Sequence, residues 1–151
     1  MKYFDYTATT PVDAEVLETY IKTTNNFFAN TSSLHKLGQR SNLMYTKAIE
    51  QLTETLNINN HNVIFTSNAT EALNIAIKGL LKKGDHIIST VIEHNSVLRP
   101  LNTMAKHGIE VTLISSDKAG YINPLDIKEE IKLNTKAIII NHASNVLGSI
   151  Q

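Results

Sequence analysis

Residues 62–78 have the sequence Asn62-Val-Ile-Phe-Thr-Ser-Asn-Ala-Thr-Glu-Ala-Leu-Asn-Ile-Ala-Ile-Lys78, and the period of the hydrophobic pattern changes within them. The short apolar run Val63–Thr66 predicts a buried strand, because it is rich in β-forming residues. Beyond the polar turn Ser67–Thr70, apolar residues recur at the spacing of a helix. These positions are Ala72, Leu73, Ala76 and Ile77. Asn68 and Glu71 form a capping-box pattern, which marks where this amphipathic helix begins.

The turn between the predicted strand and helix is a candidate anion site. The first backbone N–H groups of a helix have no partner within it, and the helix dipole favours negative charge there. A phosphate placed against Ala69 and Thr70 would bind these amides and the Thr70 hydroxyl. A turn that only connects a strand to a helix fits the pattern equally well, so the turn alone does not establish a ligand.

The remaining pattern predicts two helices before this segment and an alternation of strands and helices after it. The predicted helices are Val12–Lys22, Ser41–Leu56, a stripe from Leu98 to Ala105, and Pro124–Leu133; the predicted strands are His86–Ile92, Glu110–Ser115 and Ala137–Asn141. This order predicts an α/β fold, with a mainly parallel sheet flanked by helices. One domain is the expectation for 151 residues.

Ligands of such sheets bind beyond the carboxyl ends of the strands. In this chain those ends lead into four short segments, and most of them are rich in polar side chains. They are Ser67–Thr70, Glu93–Asn95, Ser115–Asp117 and His142–Asn145.

Composition argues against several classes of protein. Fourteen Lys and Arg balance fourteen Asp and Glu, so no basic surface is expected to attract nucleic acid or anionic membranes. The absence of a long apolar run or a leader-like start predicts a cytoplasmic protein. There is no cysteine, which excludes disulfides, thiolate metal sites and a thiol nucleophile in these residues. No His pair has the spacing of a helical zinc motif, so no metal site is predicted.

Five segments carry a more specific pattern. They are Asp5–Pro11, Asn30–His35, Phe65–Glu71, Gly84–His86 together with Glu93–Ser96, and Asn141–Gln151. In their order and spacing they resemble the motifs of the class V aminotransferases, which are fold type I enzymes dependent on pyridoxal 5'-phosphate. Within that family the resemblance is to the cysteine desulfurases and NifS-like proteins.

The resemblance implies roles for four residues. Ala69 and Thr70 would hold the cofactor phosphate, as their place at a helix start also suggests. His94 would lie over the cofactor ring and help to move protons at the substrate, which makes it the candidate catalytic residue. Asn145 would bond the phenolic oxygen of the ring. Without the resemblance, His94 would be taken as a surface or capping residue and Asn145 as part of an ordinary turn.

Four residues depart from the family pattern. Asn68 stands where many relatives carry Gly, which implies either a left-handed backbone that Asn tolerates or a capping geometry. Tyr6-Thr7 and Thr31 also differ, and the resemblance places both next to the substrate rather than the cofactor.

The resemblance implies that residues 1–151 are the amino-terminal part of a domain that binds pyridoxal phosphate. The parent enzyme would be a homodimeric cysteine desulfurase, which turns L-cysteine into alanine and passes the sulfur to an acceptor protein for iron–sulfur cluster assembly. The Schiff-base Lys and nucleophilic Cys of the family lie beyond the position of Gln151, so the chain alone is predicted to be inactive.

Other functions remain open on the sequence alone. Within the family, a selenocysteine lyase or an aminotransferase is an alternative, and so is a non-catalytic fragment that acts by association. A different α/β ligand binder is a further alternative, although the chain has neither of the common glycine-rich nucleotide signatures.

Overall fold

The computed structural model describes residues 2–58 and 61–151. The chain divides into two compact units, one that ends at Phe65 and one that begins at Thr66. Each unit is described separately.

The first unit contains two helices, α1 (Ala14–Asn26) and α2 (Lys36–Thr55). The Asp13 carboxylate caps α1 by accepting the backbone N–H of Glu15 at 2.9 Å. His35 caps α2, because its Nδ1 accepts the N–H of Gly38 at 3.2 Å. Both predicted helices are therefore confirmed, although α2 begins earlier in the chain than the predicted Ser41.

The predicted strand Val63–Thr66 is wrong, since these residues form neither strand nor helix. Ile64 and Phe65 are 82% and 57% exposed. A strand exists only where a second backbone completes its hydrogen bonds. The apolar pattern shows a tendency to be extended and buried, but it does not supply that second backbone.

The second unit alternates helices and strands. Its elements are α3 (Ala69–Leu80), β1 (His86–Thr90), α4 (Asn95–Lys106), β2 (Glu110–Ile114), α5 (Pro124–Glu129) and β3 (Thr135–Ile138). The strands form a parallel sheet in the order β2-β1-β3, with β1 in the centre. The predicted α/β class is confirmed, with three strands in the described chain where four were predicted.

The central strand is buried along its whole length. Ile87 belongs to an apolar core that also includes residues of α3 and α4, and α3 packs against α4. The buried residues of this core are Ile77, Leu81, Ile87, Val97, Leu101 and Ile109. This core holds the strands and helices in place, and so it positions the loops that follow the strands.

The register of the sheet is marked by a buried histidine. His86 lies opposite Glu110 of β2 and Thr135 of β3. Its Nε2 is 2.9 Å from the Thr112 hydroxyl and its Nδ1 is 2.7 Å from the Thr135 hydroxyl. One side chain therefore links all three strands at the end of the sheet where β1 begins.

Candidate functional site

The start of α3 is closed by hydrogen bonds among its own residues. The Asn68 side chain accepts the backbone N–H of Glu71 at 2.9 Å. The Glu71 carboxylate accepts both the backbone N–H and the hydroxyl of Ser67, each at 2.7 Å. These two bonds from Ser67 hold the pKa of Glu71 below its ordinary value, because they favour the charged form. Asn68 has a φ of −169° and a ψ of 171°, so it takes the capping geometry and not a left-handed one.

The cap leaves the backbone amides of Ala69 and Thr70, the first two residues of α3, available to a ligand. In the described part of the chain, the backbone N–H groups of Ala69 and Thr70 donate no hydrogen bond. Both residues are exposed. Two unused donors at the positive end of a helix of 12 residues form a cradle for an anion.

His94 follows β1 and caps α4. Its Nδ1 accepts the backbone N–H of Ser96 at 3.1 Å and lies 2.8 Å from the Ser96 hydroxyl. Because Nδ1 accepts a hydrogen bond from an amide, the proton of the neutral ring belongs on Nε2. The residue is exposed, while Ser96 is buried. The cap therefore holds an imidazole at the surface with a hydrogen-bond donor at Nε2.

Thr70 and His94 line the same depression, which has a volume of ≈ 320 Å³ and lies between α3 and α4. The other residues that line it are Asn74, Lys78, Asn95, Ser96, Arg99, Pro100 and Thr103. Among these described residues are two cations, Lys78 and Arg99, and no carboxylate. The charge of the depression therefore favours an anionic ligand, as the start of α3 does.

Asn145 lies on a separate loop that follows β3. This loop is closed by an antiparallel bridge between Ala143 and Ile150 and by a hydrogen bond from Ser144 N–H to the Ser149 carbonyl at 2.9 Å. Asn145 is exposed and does not line the depression shared by Thr70 and His94. Thus Thr70 and His94 come together with Ala69 beside Thr70, whereas Asn145 does not join them.

A second depression lies beside the Asn145 loop. It has a volume of ≈ 240 Å³ and is lined by residues of the β1–α4 connection and of the Asn145 loop. They are Val91, Ile92, Glu93, Ser144, Val146 and Leu147. The residues that flank His94 and Asn145 in sequence therefore meet, although the two assigned side chains are not in one depression.

Two residues that were not predicted from the sequence as site residues, Glu93 and Gln151, connect loops near the site by hydrogen bonds. One oxygen of the Glu93 carboxylate accepts the Thr90 hydroxyl at 2.9 Å and the backbone N–H of Asn141 at 2.7 Å. The Gln151 side chain accepts the N–H of Ile122 at 2.9 Å. Its amide also donates to a backbone carbonyl of the preceding turn, that of Gly120, at 2.7 Å. The sequence offers one signal for Glu93, which is a carboxylate directly after an apolar strand and beside a histidine.

The available groups fit a phosphorylated aromatic cofactor. The amides of Ala69 and Thr70 are unpaired donors for a phosphate, and the exposed imidazole of His94 is a flat surface for a ring. The exposed amide of Asn145 can donate to an oxygen on such a ring. The donor set is of the kind that pyridoxal phosphate requires.

Metal binding and membrane insertion are two further properties that the described residues bear on. Residues 2–58 and 61–151 contain no group of three His, Cys, Asp or Glu side chains placed to hold a metal ion. Over the same residues, no helix combines the length and the apolar character needed to cross a membrane.

A parallel sheet with free amides at a helix start and polar loops beyond its strand ends is the arrangement typical of α/β domains that bind a ligand. A family model described as "Aminotransferase class-V" matches residues 2–151. The chain belongs to the class V aminotransferase family.

Two of the similar proteins are named as cysteine desulfurases. The chain is 37% identical to cysteine desulfurase IscS of Dictyoglomus turgidum over 99% of its own length and 39% of the relative. It is 36% identical to cysteine desulfurase IscS 1 of Archaeoglobus fulgidus over 100% of its length and 41% of the relative. The chain thus spans about two fifths of the length of these curated relatives.

Solved structures show the same fold. A NifS-like protein superposes with a TM-score of 0.93 and 32% identity, over 99% of this chain and 42% of that one. A structure described as SspA in complex with cysteine superposes with a TM-score of 0.90 and 35% identity, over 100% of this chain and 45% of that one. These neighbours confirm the predicted fold class and the predicted family.

Proposed function

We propose that this chain binds pyridoxal phosphate and forms the amino-terminal part of the cofactor domain of a cysteine desulfurase. The observation that carries the proposal is the depression shared by Thr70 and His94, where a helix start and an exposed imidazole meet. The names of the relatives support cysteine as the substrate in preference to selenocysteine or an amino-group acceptor. The proposal includes a cytoplasmic homodimer that hands sulfur to an acceptor protein.

Each group would have one task. The amides of Ala69 and Thr70, with the Thr70 hydroxyl, would bind the phosphate, because charge-assisted hydrogen bonds to amides at a helix start are strong. His94 would cover one face of the ring and present the Nε2 proton to the substrate side. Asn145 would donate to the phenolic oxygen. When bound, the cofactor supplies an electron sink for the carbanion that forms at the substrate's α carbon.

The lysines of this chain complicate a binding assay with the cofactor itself. The aldehyde of pyridoxal phosphate reacts with exposed amines, and Lys78 lies in the same depression. Deoxypyridoxine phosphate keeps the ring and the phosphate but has no aldehyde. Titration with this analogue, followed by amide resonances in NMR, therefore reports binding at a defined site without imine formation.

The experiment compares two threonines in one depression. We expect Thr70→Val to weaken binding of deoxypyridoxine phosphate roughly tenfold or more, because a hydrogen bond to a charged group is lost. Thr103→Val is the matched control, since Thr103 lines the same depression but lies in the last turns of α4. Equal effects of the two changes, or no shift of the Ala69 and Thr70 amides on titration, would refute the proposed site.

A further inference from the structure

Hydrogen bonds from side chains extend the pairing between β1 and β3 into the chain that follows β3. The last backbone bond between them runs from Ile139 N–H to the Ile88 carbonyl at 2.9 Å. The Ser89 hydroxyl then donates to the Ile139 carbonyl at 3.0 Å. Finally, the Glu93 carboxylate accepts the Asn141 N–H at 2.7 Å. The pairing of the two segments thus reaches past the sheet to the start of the Asn145 loop.

Glu93 is an unusual residue for such a link because it is 8% exposed. The two ion pairs in the described residues are Lys22–Glu18 and Lys132–Glu110, so Glu93 has no cation beside it. A buried carboxylate is costly unless hydrogen bonds compensate it. The partners of Glu93 are the hydroxyl of the fully buried Thr90 and the Asn141 amide, both on the same oxygen. The link therefore consists of two short hydrogen bonds to one carboxylate oxygen.

Glu93 lies between the two loops whose residues, His94 and Asn145, are proposed to contact the cofactor ring. It directly precedes His94, and Asn141 lies four residues before Asn145. The depression between the loops is lined by Glu93 on one side and by Ser144 and Val146 on the other. The start of α3 is closed by its own residues and makes no hydrogen bond to this link.

We propose that Glu93 is a positioning residue, which fixes the loop that carries His94 against the loop that carries Asn145. The proposal rests on the proposed function, because the value of a fixed spacing lies in the ring contacts of these two side chains. Removal of the link should weaken the ring contacts and leave the phosphate cradle unchanged. That selectivity separates positioning from a general loss of structure.

The first measurement requires no ligand. Glu93→Ala should speed hydrogen exchange of the Asn141 amide at least tenfold, because its acceptor is lost. Glu93→Gln should retain slow exchange, since its amide oxygen can accept both bonds. Glu129→Ala, at the exposed end of α5, is the matched control. If Glu93→Ala does not fold, Glu93→Asp tests the same point, because its shorter side chain withdraws the oxygen from Asn141.

The second measurement compares two probes on these variants. Glu93→Ala, or Glu93→Asp in its place, should weaken binding of deoxypyridoxine phosphate roughly tenfold and change the affinity for inorganic phosphate less than about twofold. Glu93→Gln should restore most of the difference.

Each outcome has a distinct meaning. Unchanged exchange at Asn141, or an equal loss for both probes, would overturn the role of Glu93. If the unmodified protein binds neither probe, the proposed function fails, and the exchange result still decides whether Glu93 fixes the Asn141 segment.

Discussion

His94 has two tasks that substitution can separate, namely capping α4 and contacting the cofactor ring. In the cap, the His94 Nδ1 accepts the backbone N–H of Ser96 and also contacts the Ser96 hydroxyl. Loss of a cap costs about 1 kcal/mol, and Asn is among the best capping residues. We therefore expect His94→Ala to lower the free energy of unfolding by about 1 kcal/mol and His94→Asn to leave it nearly unchanged.

Binding should follow a different order. Contact between two aromatic rings contributes about 0.5–1.5 kcal/mol beyond burial, which corresponds to roughly two- to tenfold in affinity. Both His94→Ala and His94→Asn lack the ring, so both should bind deoxypyridoxine phosphate more weakly by that factor. Urea unfolding followed by circular dichroism measures the first quantity, and ligand titration measures the second. If His94→Asn binds the analogue as tightly as the unmodified protein, His94 acts only as a cap and the ring contact is refuted.

Two further predictions concern residues that stabilise the sheet and the start of α3. His86→Leu leaves the hydroxyls of Thr112 and Thr135 without their shared partner, and we expect a loss of roughly 1–3 kcal/mol in urea unfolding. The exposed His107→Leu is its control, and an equal effect of both would contradict the role of His86. The lowered pKa of Glu71 predicts stability that is present above the ordinary carboxyl pKa of about 4.3 and is lost as the pH falls through the lowered value. Glu71→Gln should therefore show a smaller acid-induced loss of stability, and identical acid profiles would count against the bonds from Ser67.

Local signals in the sequence predicted the helices well. Asn68 and Glu71 marked the start of α3 because capping depends on groups only three residues apart. The starts of α2 and α4 were placed too late, since the caps there are His35 and His94. Histidine is not among the usual capping residues, so the pattern did not place a helix start at either position, although capping was one interpretation of His94.

Pairing between distant segments was less predictable. The strand at Val63–Thr66 was wrong because its apolar composition says nothing about a neighbouring backbone. The bond between Glu93 and Asn141 joins residues 48 positions apart, and no sequence period extends over such a distance. The helix-start pattern and the family resemblance both indicated Thr70, whereas only the resemblance indicated His94. These two residues share a depression, and the role of Asn145 remains a prediction.

The polar residues of the central strand also have a consequence for how the chain can assemble. Ile87 and Ile88 would accept other apolar partners if β1 slid along its neighbours. His86 would not, because its ring needs the hydroxyls of Thr112 on β2 and Thr135 on β3. Ser89 would not either, because its hydroxyl needs the carbonyl of Ile139 just beyond β3. A shift of the register by one residue would leave several buried polar groups without hydrogen-bond partners. Misaligned sheets are therefore selected against during folding, before any ligand binds.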